Sequence, residues 1–465
     1  MSTCAAIAMV HERDGCGVVS SPHGAHDPAM HSSRRSFLAG SAAAGMFGSF
    51  GLSSCAARPA RPPRDPASKA RLLVIGCGNR GAENLASVAG EDLRWLCDVD
   101  RDLLAAAGKQ HPGARCIEDF RTVLGDPAAC RELDGVVVST PDHTHYPAAM
   151  QALQQGLDVY CEKPLTRTVA QARRLLETAQ ANGCVTQMGI QIHANDNYRR
   201  VVEAIRGGAV GAVREVIVWC GTNWSASELP PDGEVPARLA WDLWLGPAAP
   251  RPFSAGYHPM GWRRYWAFGG GSTGDMGCHY VDLAFWALLL DAPTSLQADG
   301  PEPHPECAPA ALRCEYAFPA RAARPAVTLR WHSAGDRPQQ ELAARGLEGW
   351  GNGVLFVGDD GWLCSDYGKH TIGPDARRAS WQVPAPSIPK SPGHHREWLL
   401  GMAARTQPSC SFAYAVPLTE TVLLANVAYR AARGRRIAWD AAAMRTDDAA
   451  ANALLDEPGR PGWLA

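Results

Sequence analysis

From residue 72 onward, short apolar runs alternate with longer stretches of helical character. The first run, Leu72 to Ile75, leads straight into glycine, and a helical stretch through "AENLASVAG" follows. "LRWLCDVD" is the next run, then "DGVVVST", then "LDVYCEKP", with "PDHTHYPAAMQALQQG" reading as a helix between the last two. Strands alternating with helices predict a parallel, doubly wound α/β sheet, assigned to residues 70–188. Strand-like runs recur beyond it in "EVIVWCG", "AVTLRWH" and "GVLFVGDDGWLCSD", so residues 189–465 read as a second, sheet-rich α/β domain. Two helices are set into that domain. One is "TGDMGCHYVDLAFWALLL"; the other, "VPLTETVLLANVAYRAARG", reads as amphipathic and packing back on the body. No internal repeat is visible.

The 465 residues accommodate two ordinary domains and a tail, and a composition 46% hydrophobic and 20% charged excludes a disordered chain. A net charge of -2 with no long charge run argues against nucleic acid and for a small-molecule partner. Fifteen cysteines are scattered with no C-x-x-C pair, which argues against a zinc ribbon or a thioredoxin-like site. No metal is expected.

Arg34 and Arg35 precede Ser36, Phe37, Leu38 and an Ala/Gly-rich apolar run, a pattern that resembles a Tat export signal. The run is short and glycine-rich for a membrane span. "LSSC" resembles a lipobox, which makes Cys55 the expected lipid anchor. These features divide the region into an unassigned extension at 1–29, a signal at 30–55 and a Pro-rich extended spacer at 56–69. They predict a periplasmic protein, exported after folding.

Candidate chemistry begins at "GCGNRG". Gly76, Gly78 and Gly81 form a G-x-G-x-x-G with a strand before and a helix after, the context a dinucleotide site requires. The first glycine permits the tight turn, the second lets backbone approach a pyrophosphate, and the third lets the helix pack on the strand. Asn79 and Arg80 complete the turn as cofactor-side candidates. Asp98, 22 residues beyond Gly76, suits both hydroxyls of the adenosine ribose and repels a 2′-phosphate. NAD is therefore expected over NADP, although nearby Arg101 weakens the preference. Ligands bind at the carboxyl ends of such strands, which adds Thr140, Pro141, His145, Glu162 and Lys163. His143 and His145 lack a third ligand nearby for a metal, so they read as helix-start or cofactor-edge residues.

These residues, with "STPDHTHYPAAMQALQQGLDVYCEKPL", "GGGSTGDMGCHYVDLAFWAL" and the tail "PLTETVLLANVAYRAARGRRIAWD", resemble the glucose–fructose oxidoreductase/inositol dehydrogenase (Gfo/Idh/MocA) family. The likeness runs from about residue 70 almost to the end; the leader and "DLWLGPA" resemble its exported bacterial branch. It implies a Rossmann domain followed by an α/β domain whose large open, mostly antiparallel sheet covers the nicotinamide. It also implies a Lys163 that contacts the substrate oxygen and a cis peptide bond before Pro164.

Asp275 and His279, four apart on a helix, share a face and are expected to project together into the crevice. Such a histidine suits removal of an alcohol proton, while Lys163 stabilises the developing alkoxide. Asp275 fixes the ring tautomer or binds a neighbouring hydroxyl, and Asp282 either orients His279 or is structural. The base stays open between Lys163 and His279. Six tryptophans fall between Trp219 and Trp266, with faces suited to a sugar ring. Tyr257, His258, Trp262 and Arg263 are the preferred substrate contacts because they precede this helix, with His193 and Asn197 as further candidates.

Three functions fit. The first is an NAD-dependent oxidoreductase acting on a secondary hydroxyl of a sugar, polyol or glycoside. The alternative is an NAD-recycling glycosidase that oxidises C3 transiently, eliminates the substituent, adds water and returns the hydride; His279, Tyr257 or His258 is its candidate elimination base. The third is a non-catalytic sugar-binding protein, which would not need Lys163 or His279. Free NAD is scarce outside the cytoplasm, so an exported enzyme should hold its cofactor tightly. A homo-oligomer, dimer or tetramer, is expected through bare sheet faces.

Overall fold

The computed structural model describes residues 61–322 and 324–463. The twin-arginine segment and Cys55 lie outside the described residues. Strands β1 (Arg71–Ile75), β2 (Asp92–Cys97), β3 (Arg115–Ile117), β4 (Gly135–Val138), β5 (Asp158–Glu162) and β6 (Thr186–Gly189) pair in parallel in the order β3-β2-β1-β4-β5-β6. Leu72, Leu73 and Val74 of β1 are fully buried, which is why the run is apolar without alternation. Strand order reverses between β1 and β4, so their carboxyl ends flank an opening.

The second sheet contains β7 (Val213–Cys220), β8 (Ser295–Asp299), β9 (Ala311–Phe318), β10 (Val327–Ala334), β11 (Gly353–Gly358), β12 (Gly361–Ser365), β13 (His370–Gly373), β14 (Arg436–Asp440) and β15 (Arg445–Thr446). Their order is β13-β12-β11-β7-β10-β9-β8-β14-β15; β7 and β10 run parallel and the other neighbours antiparallel. Along β10, Val327, Leu329 and Trp331 are buried while Thr328, Arg330 and His332 alternate with them. The buried face packs on the helix Gly271–Leu288. The other face is not bare. Arg330 pairs with Glu215 at 2.9 Å and Glu315 at 3.4 Å, and Arg436 also pairs with Glu315. Beside this ladder, Leu342 and Leu347 cover Ile217, Trp219 and Leu355.

The helix Phe412–Ala432 departs from the amphipathic expectation. Leu418, Val422, Leu424, Ala425 and Ala428 are buried, and so are Thr419, Glu420 and Thr421 between them, because the helix lies between layers. It packs on the helix Val169–Ala181, on β8 and on Gly271–Leu288, where a Cβ at Gly277 would fall 2.7 Å from Val422. The helix His394–Ala404 also returns to the first sheet, placing Trp398 and Met402 against Leu72, Val74 and Tyr160. The final segment of the chain therefore completes the core of both sheets. Residues 61–69 are irregular yet docked rather than a free spacer: Arg61 donates to the Leu133 carbonyl at 2.8 Å, and the Arg64 amide to the Ala403 carbonyl at 2.9 Å.

Candidate active site

A cleft of about 710 Å³ opens at the carboxyl ends of β1, β4 and β5. Gly76, Gly78, Asn79, Arg80 and Asp98 line one end; Thr140, Pro141, His145, Glu162 and Lys163 follow from β4 and β5. His258, Trp262, Arg263, Asp275 and His279 close it from the second sheet's side.

The first end fits a dinucleotide. Gly76 has φ +90, and a Cβ there would fall 2.6 Å from the Ser139 carbonyl oxygen. A Cβ on Gly81 would lie 2.3 Å from the Gly76 carbonyl oxygen, so Gly81 serves helix–strand packing and does not line the cleft. At Gly78 a Cβ would fall 2.6 Å from a Leu103 methyl, so a larger residue there would have to displace that side chain. The helix Arg80–Val88 has no side-chain cap, and its Gly81 and Ala82 amides turn back to the Gly78 and Asn79 carbonyls at 2.8 and 3.1 Å, so what it offers a phosphate is chiefly the positive end of its dipole. Asp98 accepts the Cys77 amide at 2.7 Å and the Asp100 amide at 2.8 Å, one on each oxygen, and keeps lone pairs for two hydroxyls. Burial raises its pKa against those two bonds. Arg101 is turned away, held by Glu118 at 2.8 and 2.9 Å and by the Ala237 carbonyl at 2.7 Å. A 2′-phosphate would meet Asp98 and find Arg101 engaged.

The other end is built around Lys163. The peptide bond from Lys163 to Pro164 is cis. The ammonium crosses to the helix Gly271–Leu288, donating to the Asp275 carboxylate at 2.7 Å and to the Asp275 carbonyl at 2.8 Å. The side chains are only 10% and 12% exposed, so the attraction is little screened. Asp275 also accepts Arg263 Nε at 3.1 Å and Trp224 Nε1 at 2.7 Å. Burial would raise its pKa, but Lys163 and Arg263 overcome that and hold it well below the carboxylate range. Asp275 is thus committed to cations and an indole, not to the tautomer of His279. Burial, then Lys163, pushes His279 well below the usual histidine value. Its Nδ1 is buried without a hydrogen-bond partner among the described residues.

The glycines before this helix are explained by closeness. A Cβ at Gly269 would fall 2.9 Å from the Arg263 backbone, and Gly271 has φ +62 with Ala308 at 2.6 Å. At Gly274 a Cβ would meet the Asp142 carboxylate at 4.0 Å.

Several expected contacts are placed elsewhere. His193 is fully buried, with Nδ1 on both Asp282 oxygens at 3.0 Å and its ring stacked on Trp286. Asp282 therefore orients His193 and accepts the Tyr414 hydroxyl at 2.6 Å, leaving His279 alone. Asn197 bonds Ser365, the Asp366 carbonyl and His370, outside the cleft. Tyr257 packs among Trp241, Tyr265 and Phe268 because its ring fills that aromatic cluster. His145 lines the cleft with both ring nitrogens engaged, and Glu162 lines it with Oε1 doubly bonded. His145 contacts the Pro164 and Thr140 carbonyls, each at 2.8 Å, and burial holds it down to about 4. Glu162 accepts Asn84 at 2.9 Å and Gln191 at 2.7 Å. His143 bonds the Trp244 carbonyl at 2.9 Å. Asp142 and Trp224 line the cleft and are not among the candidates named from sequence, although Asp142 stands inside a quoted segment and Trp224 is one of the six tryptophans counted between Trp219 and Trp266.

Residues 70–190 match the Gfo/Idh/MocA description "Oxidoreductase family, NAD-binding Rossmann fold", and residues 211–322 match "Oxidoreductase family, C-terminal alpha/beta domain". Together these matches cover just over half of the 465 residues. Inositol 2-dehydrogenase 2 of Saccharopolyspora erythraea is 30% identical over 143 residues, 30% of this chain and 41% of that protein. The matched stretch spans less than half the length of such curated relatives. Among solved structures, the WlbA dehydrogenase of Bordetella pertussis, in complex with NADH and UDP-GlcNAcA, superposes with a TM-score of 0.58 at 19% identity over 82% of this chain and 99% of that one. Aldose–aldose oxidoreductase of Caulobacter crescentus, complexed with glycerol, gives 0.54 at 18% identity over 80% and 99%. These likenesses share the fold. The two family matches, with the glycine turn and Asp98 in the cleft, identify the chain as a member of the Gfo/Idh/MocA family and an NAD-binding oxidoreductase.

Proposed function

We propose that the protein oxidises a secondary hydroxyl of a sugar, polyol or glycoside, with the hydride passing to tightly held NAD. The observation that carries this reading is the Lys163 ammonium, fixed by Asp275 in the cleft wall with His279 beside it. Bound nicotinamide supplies the two-electron acceptor. Lys163 stabilises negative charge on the substrate oxygen as its proton leaves. Asp275 positions Lys163 rather than binding a hydroxyl. Arg263 lies over Trp262 at 4.2 Å and Trp224 at 5.3 Å, and its buried Nη1 lacks a partner among the described residues. Apolar faces beside a free donor suit a polyhydroxylated ring. The names of the relatives, an inositol dehydrogenase and a dehydrogenase bound to a sugar nucleotide, support the same class. Lys163→Ala tests the reading: oxidation should fall at least a hundredfold with NAD binding retained, and unchanged turnover overturns it.

The NAD-recycling glycosidase stands as a second reading, favoured by a segment of the second domain docked on the residues that follow Asp98. The Arg101 amide donates to the Arg238 carbonyl and the Ala240 amide to the Val99 carbonyl, both at 2.9 Å, while Arg238 pairs with Asp100 at 2.9 Å. A strap here favours a retained cofactor, which recycling requires. His258 remains its cleft-lining base candidate besides His279; Tyr257 does not reach the cleft. Export through the Arg34–Arg35 segment, anchoring at Cys55 and homo-oligomerisation are proposed from sequence. The charged ladder argues against an apolar sheet-face dimer.

A further inference from the structure

Phe120 lines the cleft three residues beyond Ile117, whose carbonyl accepts the Asp98 amide at 3.2 Å, so its ring belongs to the wall beside Asp98. The ring behind it is Trp463, edge to face with centroids 6.2 Å apart. Trp463 is 5% exposed and does not itself line the cleft. The Arg121 guanidinium lies 3.7 Å from its ring centroid and is held by Asp119 at 2.7 Å; the Arg460 guanidinium lies at 5.6 Å.

The segment that carries Trp463 grips both domains. On the first domain, the Leu455 carbonyl accepts the Ala170 amide at 3.0 Å, Asp456 accepts Arg174 at 2.9 Å and Glu457 accepts Arg167 at 2.6 Å. On the second, the Arg460 amide donates to the Pro247 carbonyl at 2.9 Å, its Nε donates to the Gly246 carbonyl at 3.0 Å, and its guanidinium pairs with Asp242. These partners belong to or follow the short helix Trp241–Leu245, whose Leu243 and Trp244 line the cleft. Gly246 has φ +54, and a Cβ there would fall 2.7 Å from the methyl of the cleft-lining Thr144 and 3.7 Å from the Trp463 ring. The two walls of the cleft touch at this point, with Trp463 and Arg460 packed behind the contact.

We propose that Arg460–Trp463 is a latch on the cofactor cleft, with Trp463 as its positioning residue: it holds Phe120 and the Trp241–Leu245 wall at the spacing bound NAD requires. Removing the indole would leave a space into which both walls relax. The latch concerns the NAD site alone, so it holds whichever substrate reaction follows.

Calorimetric titration of the dialysed full chain with NAD tests this, at a temperature where melting curves show every variant folded. Trp463→Ala should raise the NAD Kd about tenfold, and Trp463→Phe should stay within about threefold of the wild type. Trp439 on β14 is as buried, at 4% exposure, and lies outside the cleft. Trp439→Ala should lower the melting temperature and leave the Kd unchanged. Arg460→Ala should weaken NAD a few-fold, and the double variant should bind no more weakly than Trp463→Ala alone, because residues acting as one unit are not additive. An unchanged Kd in Trp463→Ala, an equal loss in Trp439→Ala, or losses at Trp463 and Arg460 that simply multiply would overturn the latch. Should Trp463→Ala fail to fold, an unchanged Kd in Arg460→Ala overturns it.

Discussion

Lys163 reaches from the end of the first sheet to Asp275 on the helix beneath the second and bonds both its carboxylate, at 2.7 Å, and its carbonyl, at 2.8 Å. One side chain thereby ties the two sheets together at the point where the dinucleotide cleft meets the tryptophan wall.

Asp275→Asn should be costly in two ways. The buried ammonium and the Arg263 guanidinium would lose their shared anion, a loss of about 3–5 kcal/mol of stability when a buried pair is broken. Oxidation should fall about a hundredfold or more, since Lys163 would no longer be held. Urea unfolding and steady-state kinetics on the same preparation measure both effects.

Asp98→Ala should weaken NAD by about 1.5–3 kcal/mol, the worth of hydrogen bonds to a charged acceptor, or about ten- to a hundredfold in Kd. NADP should bind the wild type more weakly than NAD, because Arg101 is engaged by Glu118 and Ala237. Calorimetric titration with each nucleotide checks this.

Arg238→Ala should speed NAD release a few-fold. Its pair with Asp100 is partly exposed and worth at most about 1 kcal/mol, but it fastens the docked segment to the residues that follow Asp98. Wild-type protein should carry more nucleotide through gel filtration than the variant.

Acid should destabilise the fold before carboxylates titrate. His143 and His394 are buried and held down to about 3. Their native values lie below the unfolded one, so the unfolded chain binds the extra protons and stability falls as pH drops below about 6.5. Each should cost about 2 kcal/mol at pH 5. Melting temperatures between pH 7 and pH 5 measure the slope, and His143→Gln should flatten it.

What could be read in sequence was what neighbours in sequence create. "GCGNRG" followed by Asp98, and "EKP" with a later D-x-x-x-H, carry their geometry in a strand end or one helical turn. His193, Asn197 and Tyr257 lie away from the cleft because their partners are 89 residues distant, 168 or more distant, or within an aromatic cluster, and of the two roles open to Asp282 the structural one holds. Nothing local distinguishes a histidine facing a cleft from one stacked on Trp286. Asp142 was missed for the opposite reason. It reads as an ordinary helix-starting aspartate, and only the fold brings it to the cleft wall.

The most direct test is one incubation of purified protein with simple sugars, polyols and glycosides, with added NAD absent or in excess. Nicotinamide reduction and product masses would be followed together. The dehydrogenase account predicts reduced nicotinamide together with a product two hydrogens lighter than the substrate. Cleaved aglycone without net reduction would contradict it in favour of the recycling glycosidase. Binding without either product would contradict catalysis at Lys163 altogether.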